Sequence, residues 1–118
     1  MLLKGMPMAE LTATTEQQPN HTTIRVSGYL SGEHAESLET AFADLGNAKQ
    51  VLLDFDEKCF INSAGLAVLF DLLLPMRDQG TKFRIVHPAP HFRKVFDIVG
   101  LSKDVGVYEA EGAAVSGW

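Results

Sequence analysis

The sequence predicts a single α/β domain with a mixed, mostly parallel sheet of four or five strands and three main helices largely on one side. Its 118 residues are enough for one domain with a core of its own. Strand-like and helix-like hydrophobic patterns alternate along the chain, which is typical of parallel sheets with helical crossovers. Hydrophobic residues make up 46% of the chain and charged residues 21%, so no metal or disulfide is needed for folding.

Composition and charge narrow the classes of partner. The formal net charge of −5 and the isoelectric point near 5.2 disfavour nonspecific binding to nucleic acid or to anionic membranes. The single cysteine, Cys59, allows no intramolecular disulfide and favours a reducing compartment. The longest apolar stretch, Ala64 to Met76, is too short to span a bilayer. We therefore expect a cytoplasmic protein without nucleic-acid binding or membrane insertion.

The first half of the chain contains two strand patterns and one helix pattern. A weak first strand is favoured from Leu11 to Thr15, and strict alternation of apolar and polar residues predicts a half-buried strand from Thr22 to Leu30. Ser31 and Gly32 then predict the N-terminal cap of a helix that ends at Gly46. The apolar positions of this helix are Ala35, Leu38, Ala41, Phe42 and Leu45.

The middle of the chain is the most apolar part. The run from Val51 to Phe55 predicts a strand that is buried on both faces. The segment from Leu66 to Arg77 is apolar almost all the way round, which predicts a helix covered on most sides. Pro75 is expected to kink this helix or loosen its last turn, and Lys82 to Val86 alternates as a further strand.

The remaining segments complete the predicted domain. Phe92 to Val99 has helical spacing, and Val105 to Tyr108 favours a last short strand. We expect residues 1–10 to be a disordered N-terminus, residues 11–109 to form the domain, and residues 110–118 to be a loose C-terminal tail.

The most informative segment is the loop Asn62-Ser63-Ala64-Gly65, which begins the most apolar helix. Asn and Ser are both good helix caps, because their side-chain oxygens accept otherwise unpaired amide protons. These residues can therefore simply start a helix. Alternatively, the Ser63 hydroxyl lies where the positive end of a helix favours an anion, and a phosphate there would add about 1.5 to 2 negative charges. From the residues alone both interpretations stay open.

The stretch Val51 to Phe55, followed by Phe60-Ile61-Asn62-Ser63-Ala64-Gly65-Leu66, resembles the signature of STAS domains, named for sulfate transporters and anti-sigma factor antagonists. The resemblance covers about Thr22 to Tyr108 and is to the anti-sigma factor antagonist, or anti-anti-sigma, type. Its other elements are Leu30-Ser31-Gly32, Gly80 and Val99-Gly100-Leu101.

The resemblance implies a non-catalytic regulatory module. Such a module binds an anti-sigma factor that is a serine kinase with an ATPase fold, and thereby frees a sigma factor. Phosphorylation of Ser63 by that kinase would block binding, and a serine phosphatase would restore it. Docking in the family uses this loop, the following helix start and nearby turns, so the implied partner-binding residues are Asn62, Ser63, Ala64, Gly65 and Leu66.

One position departs from the family pattern, because Asn62 stands where the family usually has Asp. The substitution preserves capping but removes one negative charge beside Ser63. An alternative function is open within the same family, namely a subunit of a lipid-transport or stressosome-like signalling complex with no phospho-switch. No cofactor and no metal site is expected.

An enzyme is the least favoured alternative. A hydrolase built on Ser63 would need a base such as His87 or His91, but the Gly-x-Ser-x-Gly elbow is missing around the serine. Cys59 is an equally weak candidate nucleophile, because a free cysteine is usually an inert core residue. We therefore expect no catalytic residues.

Overall fold

The computed structural model describes residues 11–55, 59–86, 105–108 and 110–118. Their strands are β1 (Thr12–Gln17), β2 (Thr22–Ser27), β3 (Tyr29–Leu30), β4 (Gln50–Phe55), β5 (Phe60–Ile61), β6 (Lys82–Val86) and β7 (Gly106–Tyr108). The helices of the described ranges are α1 (Glu36–Ala43), α2 (Ser63–Asp78) and the four-residue α3 (Glu111–Ala114).

Within the described ranges, the main sheet has five strands in the order β1-β2-β4-β6-β7. Strand β1 pairs antiparallel with β2, whereas the β2–β4, β4–β6 and β6–β7 pairs are all parallel. Helices α1 and α2 make the crossovers from β2 to β4 and from β4 to β6. This mixed, mostly parallel sheet confirms the predicted fold class. The third predicted main helix, Phe92 to Val99, lies outside the described residues.

The central strand β4 is buried on both faces, as its apolar run predicts. Val51 and Leu53 face the larger core, which also contains Leu38 of α1 and Leu69 of α2. Leu52 points to the opposite face, where it packs in a smaller cluster with Val86 and Ala114. Side chains alternate between the two faces of a strand, so β4 supplies apolar residues to both layers.

In the first half, one local prediction was correct only in part and another was wrong. The predicted strand from Thr22 to Leu30 is divided at Gly28, whose φ of 94° turns the chain out of the main sheet. Strand β3 then pairs in parallel with β5 in a separate two-stranded sheet. The predicted cap at Ser31 and Gly32 also does not start α1, because this helix begins at Glu36.

Ser31 closes a turn instead of capping the helix. Its hydroxyl and its carbonyl oxygen both accept the His34 N–H, at 3.1 and 3.3 Å. Serine side chains often stabilise such turns in the same way as they cap helices. The residue type was therefore informative about a local hydrogen bond, but not about the position of the helix start.

Helix α2 continues through Pro75 to Asp78, so Pro75 does not end it, and Gly80 follows with a φ of 102°. Within α2 the buried stripe consists of Gly65, Leu69 and Leu73, whereas the other large apolar side chains of the helix are half-buried. The helix is therefore covered on fewer sides than its almost continuous apolar sequence predicts. Among the described residues, no helix has the length and hydropathy that a membrane span requires.

The C-terminal residues pack on the face of the sheet opposite α1 and α2, whereas the sequence predicts a loose tail. Arg84 of β6 donates hydrogen bonds from Nη1 to the carbonyl oxygens of Ala114 and Ser116, both at 2.8 Å. Its guanidinium also lies 4.3 Å from the centre of the Trp118 ring, which is a cation–π distance. Because Arg84 is 30 residues from Ala114, no local pattern reveals this anchor.

Candidate functional site at the start of helix α2

Asn62 is the N-terminal cap of α2. Its backbone is extended, with φ −93° and ψ 178°, and its Oδ1 accepts the Gly65 N–H at 2.7 Å. The Asn62 carbonyl accepts the Leu66 N–H at 2.9 Å, the first backbone hydrogen bond of the helix. The prediction that this loop starts a capped helix is confirmed.

Backbone hydrogen bonds tie the start of α2 to the segment that precedes α1. The Phe60 N–H donates to the Gly28 carbonyl at 2.8 Å, and the Asn62 N–H donates to the Leu30 carbonyl at 3.1 Å. Both bonds continue the pairing of β3 with β5. The loop that carries Ser63 is consequently held on both sides, by a helix after it and by a paired strand before it.

Gly65 allows the start of α2 to lie very close to the Leu30 backbone. A Cβ atom built on Gly65 would lie 2.6 Å from the carbonyl carbon and 2.9 Å from Cγ of Leu30, and closer still to the Leu30 carbonyl oxygen. A Cβ on Gly32 would lie 3.0 Å from Cβ of Ala64. Glycine is needed at position 65 because backbone meets backbone there.

The five predicted partner-binding residues are adjacent but differ in exposure. Asn62, Ser63 and Ala64 are exposed, Gly65 is buried and Leu66 is half-buried. Ser63 is the first residue of α2, and the first turn contains no acidic side chain. Ser63 is thus solvent-exposed at the positive end of a sixteen-residue helix, with no acidic side chain in the first turn to oppose an added anion.

A groove of about 290 Å³ lies next to this loop. It is lined by Asn62 and Ala64 of the loop and by residues of β3 and the following turn, namely Tyr29, Ser31, Gly32, Glu33 and His34. The Asn62 side chain donates from Nδ2 to the Tyr29 hydroxyl at 3.1 Å across a separation of 33 residues. On the same two-stranded sheet, Phe60 keeps 52% of its surface exposed.

Sequence reasoning missed Tyr29, Glu33 and His34 as residues of the site. The only available signal was the Leu30-Ser31-Gly32 turn within the family resemblance. Strand pairing of β3 with β5 brings this turn to the start of α2, and a pairing of two residues per strand leaves no recognisable sequence pattern.

The described part of the chain does not include every residue of the hydrolase alternative, which the sequence favours least. Cys59 is a buried core residue with 2% of its surface exposed. His87 and His91 lie outside the described residues. The absence of enzymatic activity therefore stays a prediction.

We expect Asn62→Ala to lower the free energy of unfolding by about 1 kcal/mol, because the Gly65 N–H would lose its cap acceptor. Urea denaturation followed by circular dichroism measures this change. Asn47→Ala is the matched control, because Asn47 is an exposed residue outside the helices. Equal denaturation midpoints for Asn62→Ala and Asn47→Ala would contradict the capping role.

Comparison with known families agrees with this geometry. The STAS domain family model matches residues 12–114, which is most of the chain. This chain belongs to the STAS domain family. The resemblance seen in the sequence is thereby confirmed, and the exposed serine of this STAS domain lies in the loop that carried the resemblance.

Solved structures similar to this STAS domain include anti-sigma factor antagonists. One from Mycobacterium paratuberculosis matches with a TM-score of 0.74 and 22% identity, over 91% of this chain and 92% of that chain. The Bacillus cell fate determinant SpoIIAA in its phosphorylated form matches with a TM-score of 0.66 and 17% identity, over 88% and 96%. Unphosphorylated SpoIIAA matches with a TM-score of 0.66 and 19% identity, over 88% and 93%. At these identities the likeness establishes a common fold.

Proposed function

We propose that this STAS domain is a cytoplasmic anti-sigma factor antagonist. It docks on an anti-sigma factor through Asn62, Ser63, Ala64, Gly65 and Leu66, and phosphorylation of Ser63 abolishes docking. The anti-sigma factor is a serine kinase with an ATPase fold, and a serine phosphatase reverses the modification. The observation that carries the proposal is that Ser63 is exposed and is the first residue of a helix whose start is held by hydrogen bonds on both sides.

A phosphate on Ser63 would be compatible with the folded domain but unfavourable at an interface with the partner. Within the domain, the positive end of α2 and the absence of acidic residues in its first turn favour an added anion. At an interface, the same charge of about −1.5 to −2 would have to be desolvated or matched by the partner. The domain can therefore remain folded in both states while its docking surface changes.

The likeness to anti-sigma factor antagonists supports this function over other uses of the fold. Among the similar structures is SpoIIAA in both a phosphorylated and an unphosphorylated form. Asn62 differs from the family's usual Asp, and this difference leaves the cap intact because Asn62 Oδ1 still accepts the Gly65 N–H. The exposure of Ser63 does not depend on the lost charge.

We expect recombinant anti-sigma factor kinases from the source organism, supplied with Mg-ATP, to transfer one phosphate to Ser63. Peptide mass spectrometry of the modified chain identifies the acceptor, and Ser63→Ala serves as the control that should stay unmodified. Stable binding with no phosphate on Ser63 would contradict the switch and favour a subunit of a transport or signalling complex. Failure to bind any of these kinases would contradict the function itself.

A further inference from the structure

The Asn62 carboxamide has only one orientation that satisfies its neighbours. Its Oδ1 must face Gly65, because a backbone N–H requires an acceptor. The Nδ2 group then faces Tyr29, and it donates to the Tyr29 hydroxyl oxygen. The direction of the second hydrogen bond therefore follows from the first.

This direction leaves the Tyr29 hydroxyl proton unused within the pair. A phenol can accept and donate at the same time, and here its acceptor capacity is taken by Asn62. Tyr29 is half-buried and lines the groove beside Ala64, so its proton is available to a group that enters the groove. An aspartate at position 62 would reverse the arrangement, because its second carboxylate oxygen can only accept, and Tyr29 would have to donate to it.

We propose that Tyr29 is a specificity-determining contact that donates a hydrogen bond to a neutral carbonyl oxygen of the anti-sigma factor. This inference rests on the proposed function, since it assigns chemistry to the same docking surface. A neutral carbonyl suits the groove better than a carboxylate, because the exposed Glu33 lines the same groove and would repel a second negative charge. Asn62 acts as the positioning residue that keeps the Tyr29 proton directed to the partner.

A double-mutant cycle tests the inference. The dissociation constant for the anti-sigma factor kinase is measured by calorimetry for the full chain, Tyr29→Phe, Asn62→Asp and the double variant. Tyr29→Phe should weaken binding about tenfold, because the partner's carbonyl would be desolvated without a donor. Asn62→Asp should remove the same contact by turning the proton inward, so adding Tyr29→Phe to Asn62→Asp should change binding less than about twofold.

The chain contains a matched control for the phenol. Tyr108 is half-buried like Tyr29, but it lies on β7 and packs with the cluster on the opposite face of the sheet. Tyr108→Phe should therefore leave the dissociation constant unchanged. Urea denaturation of each variant separates a loss of contact from a loss of folded protein.

The possible outcomes distinguish the two proposals. If the unsubstituted chain binds and Tyr29→Phe binds equally well, the contact is overturned and the proposed function stands. If the losses of binding free energy from Tyr29→Phe and Asn62→Asp add, Tyr29 does not act through the hydroxyl proton that its hydrogen bond from Asn62 leaves free. The inference is then also overturned. If the unsubstituted chain binds none of the kinases, the proposed function fails, and the inference fails with it.

Discussion

Replacing Gly65 by alanine should lower the free energy of unfolding by about 2 kcal/mol or more. The new Cβ would lie 2.6 Å from the Leu30 carbonyl carbon, which is far inside van der Waals contact. Because the obstacle is backbone in a paired strand, it cannot rotate away as a side chain would, and overpacking of this kind typically costs 1–3 kcal/mol or more. The higher helix propensity of alanine, about 1 kcal/mol, offsets only part of this cost.

Gly112→Ala is the matched control for this prediction. Gly112 lies within α3, and a Cβ built there would have no atom within 4 Å. We expect Gly112→Ala to leave the urea midpoint unchanged or slightly raised, while Gly65→Ala lowers it strongly. If the two variants unfold at the same urea concentration, the close approach of α2 to Leu30 is not a constraint on the fold.

Ser63→Glu should weaken binding to the anti-sigma factor kinase by about a hundredfold or more, while Ser63→Ala should bind within a few-fold of the unsubstituted chain. The glutamate places a charge where an unmodified docking surface has a neutral hydroxyl, and desolvating an unmatched charge at an interface costs several kcal/mol. Alanine removes only an exposed hydroxyl that no cap depends on, since the capping acceptor is Asn62. Calorimetric titration of the three proteins measures both effects.

A second serine separates the effect of position from that of net charge. Ser116 is exposed, and its backbone is anchored to Arg84 on the opposite face of the sheet. Ser116→Glu adds the same charge as Ser63→Glu and should leave the dissociation constant within about twofold, because surface charges beyond a Debye length are largely screened. Equal weakening by the two glutamates would show that net charge, and not the start of α2, governs binding.

The two predictions depend on one physical feature, which is the rigidity of the α2 start. Asn62 and Gly65 share the cap hydrogen bond. Asn62 also donates a backbone hydrogen bond to the Leu30 carbonyl, and Gly65 lies against the Leu30 backbone. A phosphate or a glutamate carboxylate at position 63 would change an interface through its own charge, because the backbone beneath it is held in place. Gly65→Ala would disturb this geometry, so its binding defect should accompany its loss of stability.

Much of the sheet could be predicted because its evidence is local. The alternation in β2 and the apolar run of β4 depend only on neighbouring residues, and both strands are present. The start of α2 was equally predictable, since Asn62 caps a helix through a residue three positions away. The family signature also indicated Ser63 as a functional residue, and its exposure agrees with the role that we propose.

The α/β class, the order of most strands and helices, and a polar cap in the Asn62-Ser63 loop could be predicted from the sequence, because these follow from periodicity and from contacts within one turn. The tertiary structure alone decided the break at Gly28, the proximity of Tyr29 to Asn62, and the anchoring of Ala114 by Arg84. These features depend on pairings between residues about 30 positions apart. Such pairings exist only after the chain has folded, and no local pattern encodes which distant groups will meet.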